Sequence, residues 1–398
     1  MKILLLNQFF PPDLAPTGQM AADLAEDLVA AGHSVSVLAS RGSYLGGERQ
    51  PARSTWKGVE VFRGAATSLG KKTLVYRALD YASFYASAGL ALSRMDPPDV
   101  VVAMTTPPLI AAAGLAATRR GSKLVSWVQD LYPEIAVAFG ALRDGSPAAR
   151  AMAALSRKVM GASANVVVLG EAMKEKAVQA GAAPERVAII PNWADGEVIR
   201  PVPNESNRLR DDLARGARFV VLYSGNIGRA HDVSTVVQAA KLLADRPDIA
   251  FVFQGDGAKR AELVLGTRAL PNVRFVPYQL REKLSESLSA ADLHLITLAP
   301  NVVGLLEPSK LYGVMAAGRP SVYVGPGRSE VARTIQAEKI GACVENGNAA
   351  GLVDAIVTRA AEPSRCREEG EKARTAFDRE YSRPRRTAQF ARLLEGLG

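Results

Sequence analysis

Along the chain, short unbroken apolar runs alternate with longer stretches whose apolar residues return at helical spacing. The runs "KILLLNQF", "SVSVLAS", "VEVFRG", "DVVVAM", "LVSWVQD", "ANVVVLG" and "RVAIIPN" have strand length, and helical patterns from about 18 to 31 and from 73 to 94 separate the early ones. A strand that is apolar along its whole length is buried on both faces, the condition of a parallel sheet covered by helices. The order is βα, repeated.

The pattern breaks at "PNWADGEVIRPVPNESNRLRDDLARG", a segment rich in Pro, Asn and charge. It then restarts with "RFVVLYSG", the helix "VSTVVQAAKLLA" and "IAFVFQGDG", and runs on through "VRFVPY", "LHLITLA", "SVYVG" and "GACVEN". Two α/β, Rossmann-like domains are expected, over residues 1–198 and 199–375. The final stretch, 376–398, reads as a helix that caps the second domain or crosses back to the first. Ligands of such sheets sit outside the carboxyl ends of the strands, so two of them facing each other would enclose a deep cleft.

With 398 residues, 48% hydrophobic and 22% charged, each domain can bury its own core. The first apolar run, "ILLL", is too short for a signal-peptide core and leads directly into "NQFFPPD", so the chain reads as cytoplasmic. No window approaches the length of a transmembrane helix. Cys343 and Cys366 show no paired spacing with each other or with His33, His231 and His294, which argues against a disulfide framework and a structural zinc site.

The net charge of +9 is unevenly spread. Lys71, Lys72, Arg77, Arg94, Arg119, Arg120 and Lys123 are interleaved with Tyr76, Tyr81, Phe84 and Tyr85 in the first half. Such a segment suits an anionic membrane surface, or it is the solvated face of a core helix. No nucleic-acid motif accompanies the charge, so nucleic acid is not an expected partner.

Candidate chemistry gathers at the βα turns. Thr17 and Gly18 stand where the first helix begins, a place where backbone N–H groups can meet an anion, although many such turns carry Gly for geometry alone. "YSGNIGRAHDV" presents Gly225, Asn226 and Gly228 with Arg229 before the next helix, and "FVFQGDGAKRAEL" presents Gly255 and Gly257. Together they can offer N–H donors and a permanent cation to a diphosphate. "EPSKLYGVMAAGRP" adds Ser309 and Lys310 at the entrance of a further helix; the plainer reading is a cap beside a solvent-facing lysine.

The ordered set "FFPPDLAPTGQMAADLAEDLVAAGHSVSVLAS", "VQDLYPE", "IIPNWAD", "YSGNIGRAHDV", "GDGAKRAEL" and "PSKLYGVMAAGRP" resembles the GT-B glycosyltransferases of family 4. Within them it is similar to the WbuB-like bacterial branch that builds capsule, O-antigen and exopolysaccharide. The resemblance covers nearly the whole chain. It implies a retaining transfer of sugar from a nucleotide donor, UDP before GDP, held by the C-terminal domain, to a saccharide acceptor, lipid-linked in this branch, held by the N-terminal domain. It implies no cofactor and no metal, and the chain contains no Asp-x-Asp.

By the same resemblance, Arg229 and Lys310 stabilise the leaving diphosphate. Asp130, in "WVQDLYPE", orients an acceptor hydroxyl or stabilises charge at the anomeric carbon, with Glu134 as a second acceptor-side candidate. Retention without a nucleophile implies front-face chemistry, in which the departing phosphate takes the acceptor proton. The family's Glu-x7-Glu pair falls on Leu305 and Gly313, neither acidic, and its turn lysine falls on His231. Glu307, on the same entry loop, is placed to reach toward the expected sugar or ribose. A nucleotide-sugar 2-epimerase of the same fold and a non-catalytic sugar-nucleotide-binding partner of another transferase are the alternative readings.

Overall fold

The computed structural model describes all residues except Leu14, 43–48 and 68–73, and the side chains of 74, 75, 77 and 78. Lys71, Lys72 and the Arg77 side chain, from the basic segment singled out above, therefore lie outside the described residues. The chain forms two compact units. Unit 1 comprises Met1–Pro191 with Arg386–Gly398, and unit 2 comprises Asn192–Arg385.

Unit 1 follows the order β1 (Lys2–Leu6), α1 (Pro16–Ala30), β2 (Ser34–Ser40), β3 (Arg53–Trp56), β4 (Val59–Gly64), α2 (Leu74–Arg94), β5 (Val100–Ala103), α3 (Ala111–Thr118) and β6 (Lys123–Trp127). It continues with α4 (Glu134–Ala138), α5 (Pro147–Ala162), β7 (Asn165–Val168), α6 (Glu171–Gln179) and β8 (Val187–Ile189). The sheet order is β3-β4-β2-β1-β5-β6-β7-β8. All neighbours are parallel except β3, which lies antiparallel to β4 and is announced by no apolar run. Ala21, Leu24, Ala25 and Leu28 form the buried stripe of α1, with the spacing that puts four side chains on one helical face. Phe84 and Ala88 of α2 pack with Leu4, Leu6, Val101 and Leu124 of the strands.

Unit 2 runs α7 (Arg208–Ala214), β9 (Phe219–Ser224), α8 (Ser234–Leu242), β10 (Ile249–Gln254), α9 (Arg260–Thr267), β11 (Val273–Val276), α10 (Leu284–Ser289) and β12 (Leu293–Thr297). Then come α11 (Lys310–Ala316), β13 (Ser321–Val324), α12 (Glu330–Glu338), β14 (Gly341–Val344), α13 (Ala349–Ala361) and α14 (Pro363–Ala376). Its sheet is wholly parallel, in the order β11-β10-β9-β12-β13-β14. Val221, Phe251, Phe253 and Leu295 face α8 and α13, while Val220, Leu222 and Val252 face Leu213 of α7 on the other side. Strands sandwiched this way need no polar alternation, which is why they appear in the sequence as solid apolar runs.

The last helix, α15 (Arg383–Glu395), begins in unit 2, and from Arg386 onward it belongs to unit 1. Phe390 meets Trp127 edge to face with ring centroids 4.9 Å apart, and Thr387 Oγ1 donates to Asp27 Oδ2 at 2.7 Å. Among the described residues, no helix is long and apolar enough to cross a membrane.

Each sheet reverses its winding direction once, between β1 and β5 in unit 1 and between β9 and β12 in unit 2. These switch points open a crevice at the carboxyl ends of the strands. The candidate residues other than Glu307 gather there.

Candidate active site

In unit 2 the loops leaving β9 and β10 are knitted backbone to backbone. Gly225 N–H donates to the Gln254 carbonyl, Ile227 N–H to Asp256, and Lys259 N–H to Ile227, at 2.8 to 2.9 Å. Gly255 has φ 132°, and a β-carbon on it would stand 2.2 Å from the Gly225 carbonyl oxygen. Only glycine permits that approach. Gly228 and Gly257 lie in the same two turns, with Asn226 and Arg229 exposed beside them.

Lys310 enters this pair of loops from the far side of the switch point. Its Nζ donates to Tyr223 Oη at 2.8 Å and to the Asn226 carbonyl at 3.0 Å, and lies 3.1 Å from His231 Nε2. The ammonium also sits 4.5 Å from the centroid of the Tyr223 ring, a cation–π contact. His231 Nδ1 is 2.7 Å from the Thr297 carbonyl at the end of β12, so the imidazole bridges the two strands that flank the crevice. Burial pushes the Lys310 ammonium down to about 7, and burial together with the Lys310 charge holds His231 down at about 3.

Ser309 is exposed and makes no side-chain capping bond to the short helix α11, so its hydroxyl is available to a ligand. Glu307 turns elsewhere. Neither of its buried carboxyl oxygens has a hydrogen-bond partner, and burial, only partly offset by the nearby Glu330 amide, pushes it up to about 8.

In unit 1, Asp130 follows β6, and its backbone N–H donates to Thr105 Oγ1 at 3.2 Å, beside the end of β5. Burial raises its carboxyl to about 6. Asn7 and Gln8 follow β1, and Gln8 N–H donates to the Thr106 carbonyl at 2.7 Å, so Asn7, Gln8, Thr105 and Thr106 occupy the switch point with Asp130 beside them. Asn7 Oδ1, Gln8 Oε1 and Glu134 Oε2 are buried acceptors without partners, which a hydroxyl-rich ligand would satisfy. Thr17 Oγ1 accepts from Asn7 Nδ2 at 3.4 Å, and Gly18 packs so close to Phe9 that a β-carbon would stand 3.0 Å from its backbone.

The structure thus brings Gly225, Asn226, Gly228, Arg229, Gly255, Gly257, Ser309 and Lys310 to one edge of unit 2. It brings Asp130, Glu134, Thr17 and Gly18 to the corresponding edge of unit 1. Sequence reasoning missed Tyr223, Asn7 and Gln8. It also missed Tyr278, an aromatic 55% exposed just after β11 whose ring comes within 3.2 Å of a β-carbon position on Gly255. The one signal for Tyr278 was an aromatic in a polar loop.

Two doubly wound sheets with glycine-rich loops at one switch point and orphaned acceptors at the other have the architecture of a GT-B glycosyltransferase. Residues 17–193 match the family described as glycosyl transferase 4-like domain, and residues 218–361 match glycosyl transferases group 1. The chain belongs to the family 4 glycosyltransferases. It is 29% identical over 373 residues to the putative colanic acid biosynthesis glycosyl transferase WcaI of Escherichia coli (strain K12), spanning 89% of this chain and 91% of that one. It is 30% identical over 301 residues to the probable glycosyltransferase WbjE of Pseudomonas aeruginosa, spanning 74% of each. Among solved structures, Anabaena HepE in complex with UDP superposes with a TM-score of 0.73 at 16% identity, covering 100% of both chains.

Proposed function

We propose that this enzyme transfers a sugar, with retention of anomeric configuration and without a metal, from a UDP-sugar to a lipid-linked saccharide in cell-surface polysaccharide assembly. The observation that carries the reading is the enclosed Lys310 ammonium at the switch point of unit 2, set against closely packed glycine loops whose tips carry exposed Asn226 and Arg229. The name of WcaI, which refers to colanic acid biosynthesis, and the UDP bound to HepE support the acceptor class and the nucleotide.

In this reading unit 2 holds the donor. Tyr278 offers its exposed ring to the base, while Arg229, Ser309 and Lys310 face the diphosphate. Unit 1 holds the acceptor, with Asn7, Gln8 and Glu134 taking hydrogen bonds from its hydroxyls and Asp130 beside the reacting group. The bond between the anomeric carbon and the diphosphate oxygen breaks, and UDP leaves with that oxygen. The acceptor oxygen bonds the anomeric carbon on the same face and gives its proton to the departing phosphate. Charge on the leaving group is met by Arg229 and Lys310, which is the role a divalent cation would otherwise serve.

Peripheral attachment to an anionic membrane is part of the proposal. Tyr76 and Leu79 of α2 are 42% and 49% exposed, an apolar surface suited to the lipid boundary. The test is to incubate the purified chain with UDP-sugars and a lipid-linked oligosaccharide, with and without EDTA, and to read product and anomeric configuration. Transfer with retention, unaffected by EDTA, is expected. An epimerised sugar from donor alone would replace the reading with that of an epimerase, and no turnover of any nucleotide-sugar would overturn it.

A further inference from the structure

Lys310 spends its whole donor capacity inside unit 2. An ammonium has three N–H groups, and its three partners are Tyr223 Oη, the Asn226 carbonyl and His231 Nε2. None is a carboxylate. The tautomer of His231 follows from the other end of its ring: the Thr297 carbonyl, 2.7 Å from Nδ1, can only accept, so Nδ1 carries the hydrogen and Nε2 offers a lone pair. A charged imidazole would set two cations 3.1 Å apart, so the ring is a neutral acceptor.

An anion can reach this ammonium only by replacing one of its three bonds. The Tyr223 hydroxyl donates to the same Asn226 carbonyl at 2.9 Å, so those two partners are tied together. The bond to His231 is the longest and stands outside that pair. It is the exchangeable one.

Resting on the donor reading above, we propose that His231 is a positioning residue for Lys310. It holds the third N–H while the site is empty and yields it to a phosphate oxygen of the donor, so that nucleotide binding is linked to proton uptake at Lys310. The groups around the amine fit this role. Asp256 spends Oδ1 on the Gly257 N–H at 2.8 Å, and the Lys259 amine is bound to the His231 carbonyl at 2.8 Å. Glu307 is turned toward α12, Arg229 is itself a cation, and Tyr223, pushed well above its ordinary value by burial, stays a neutral hydroxyl. With no carboxylate bonded to it, the buried amine is divided between charged and neutral forms near pH 7, and an arriving dianion favours the charged form.

The experiment is calorimetric titration of the full chain with UDP at pH 7.5 in two buffers of different ionisation enthalpy, Tris and PIPES. The wild type is expected to take up a fraction of a proton, and its affinity to fall by up to tenfold per pH unit above about pH 7. Lys310→Arg, whose guanidinium stays charged, should bind UDP without proton uptake. His231→Leu removes the acceptor, leaves the amine more neutral in the empty site and should increase the uptake, while His231→Gln keeps an acceptor and should restore the wild-type value. Equal proton uptake in wild type and His231→Leu would overturn the proposal. So would UDP binding that is weakened by Lys310→Met yet carries no buffer-dependent heat, an outcome that leaves the donor reading intact. If UDP does not bind the wild type at all, the donor reading falls and the proposal with it.

Discussion

Gly225 leaves the space that Lys310 occupies: a β-carbon on Gly225 would stand 2.9 Å from Lys310 Cε, and its φ of 119° is one that residues with side chains rarely adopt. Gly225→Ala is therefore expected to cost about 1–3 kcal/mol of stability from backbone strain and to displace the lysine. Chemical denaturation and UDP titration together check this, and a variant of unchanged stability and affinity would show that the loop absorbs the methyl.

Arg229 and Lys310 are the two cations assigned to the leaving diphosphate. Replacing both by Ala should weaken UDP binding by about 3 kcal/mol or more, roughly a hundredfold, since each charge-assisted bond contributes about 1.5–3 kcal/mol. Transfer should fall below detection. Unchanged turnover in the double variant would move the diphosphate elsewhere.

Asp130 is held protonated by burial up to about pH 6, against an ordinary value of 3.8. Below pH 3.8 both the folded and the unfolded chain hold the proton, so the shift has no effect on stability. Between 3.8 and about 6 only the folded chain holds it, so stability falls as pH rises, and above that the full penalty stands. Asp130→Asn should therefore stabilise unit 1 at pH 7.5 by about 2–3 kcal/mol and give no gain at pH 3, while lowering transfer. Melting curves at the two pH values give the first result, and an assay gives the second.

Gly313 sits within α11, and a β-carbon there would meet only Leu288 Cδ1 at 3.5 Å and Ile199 Cδ1 at 3.8 Å, ordinary contact distances. Gly313→Ala should therefore stabilise the protein by about 0.5–1 kcal/mol, the helix penalty of glycine. Gly313→Glu tests the vacant family position: a rise in UDP affinity would mean that a ribose carboxylate had been restored. A flat or lower affinity would mean that its absence does not limit binding.

The βα order was legible because strands such as "VVVA" of β5 and "SVYV" of β13 are buried on both faces and carry no polar interruption. The edge strand β3, "RSTW", was not. It has one neighbour and no fully buried residue, so nothing in its sequence marks it as structure. In the site, Gly225 and Gly255 were visible as turn glycines, but the reason for them was not, since it lies in the contacts each makes with Lys310 and with the other loop. His231 stood out in sequence only as a missing lysine. Its partner Lys310 is 79 residues away, brought to it by the reversal of winding between β9 and β12, which no local pattern reports.

The return of α15 to unit 1 also sets the order in which the protein can mature. Trp127 is fully buried, and part of what covers it is the Phe390 ring, which emerges from the ribosome only after all of unit 2. Unit 2 can therefore close during synthesis, whereas unit 1 waits with an open seam at Trp127. Nascent chains stalled before residue 386 should expose that tryptophan to quencher and to protease, although every strand of its sheet has already been made.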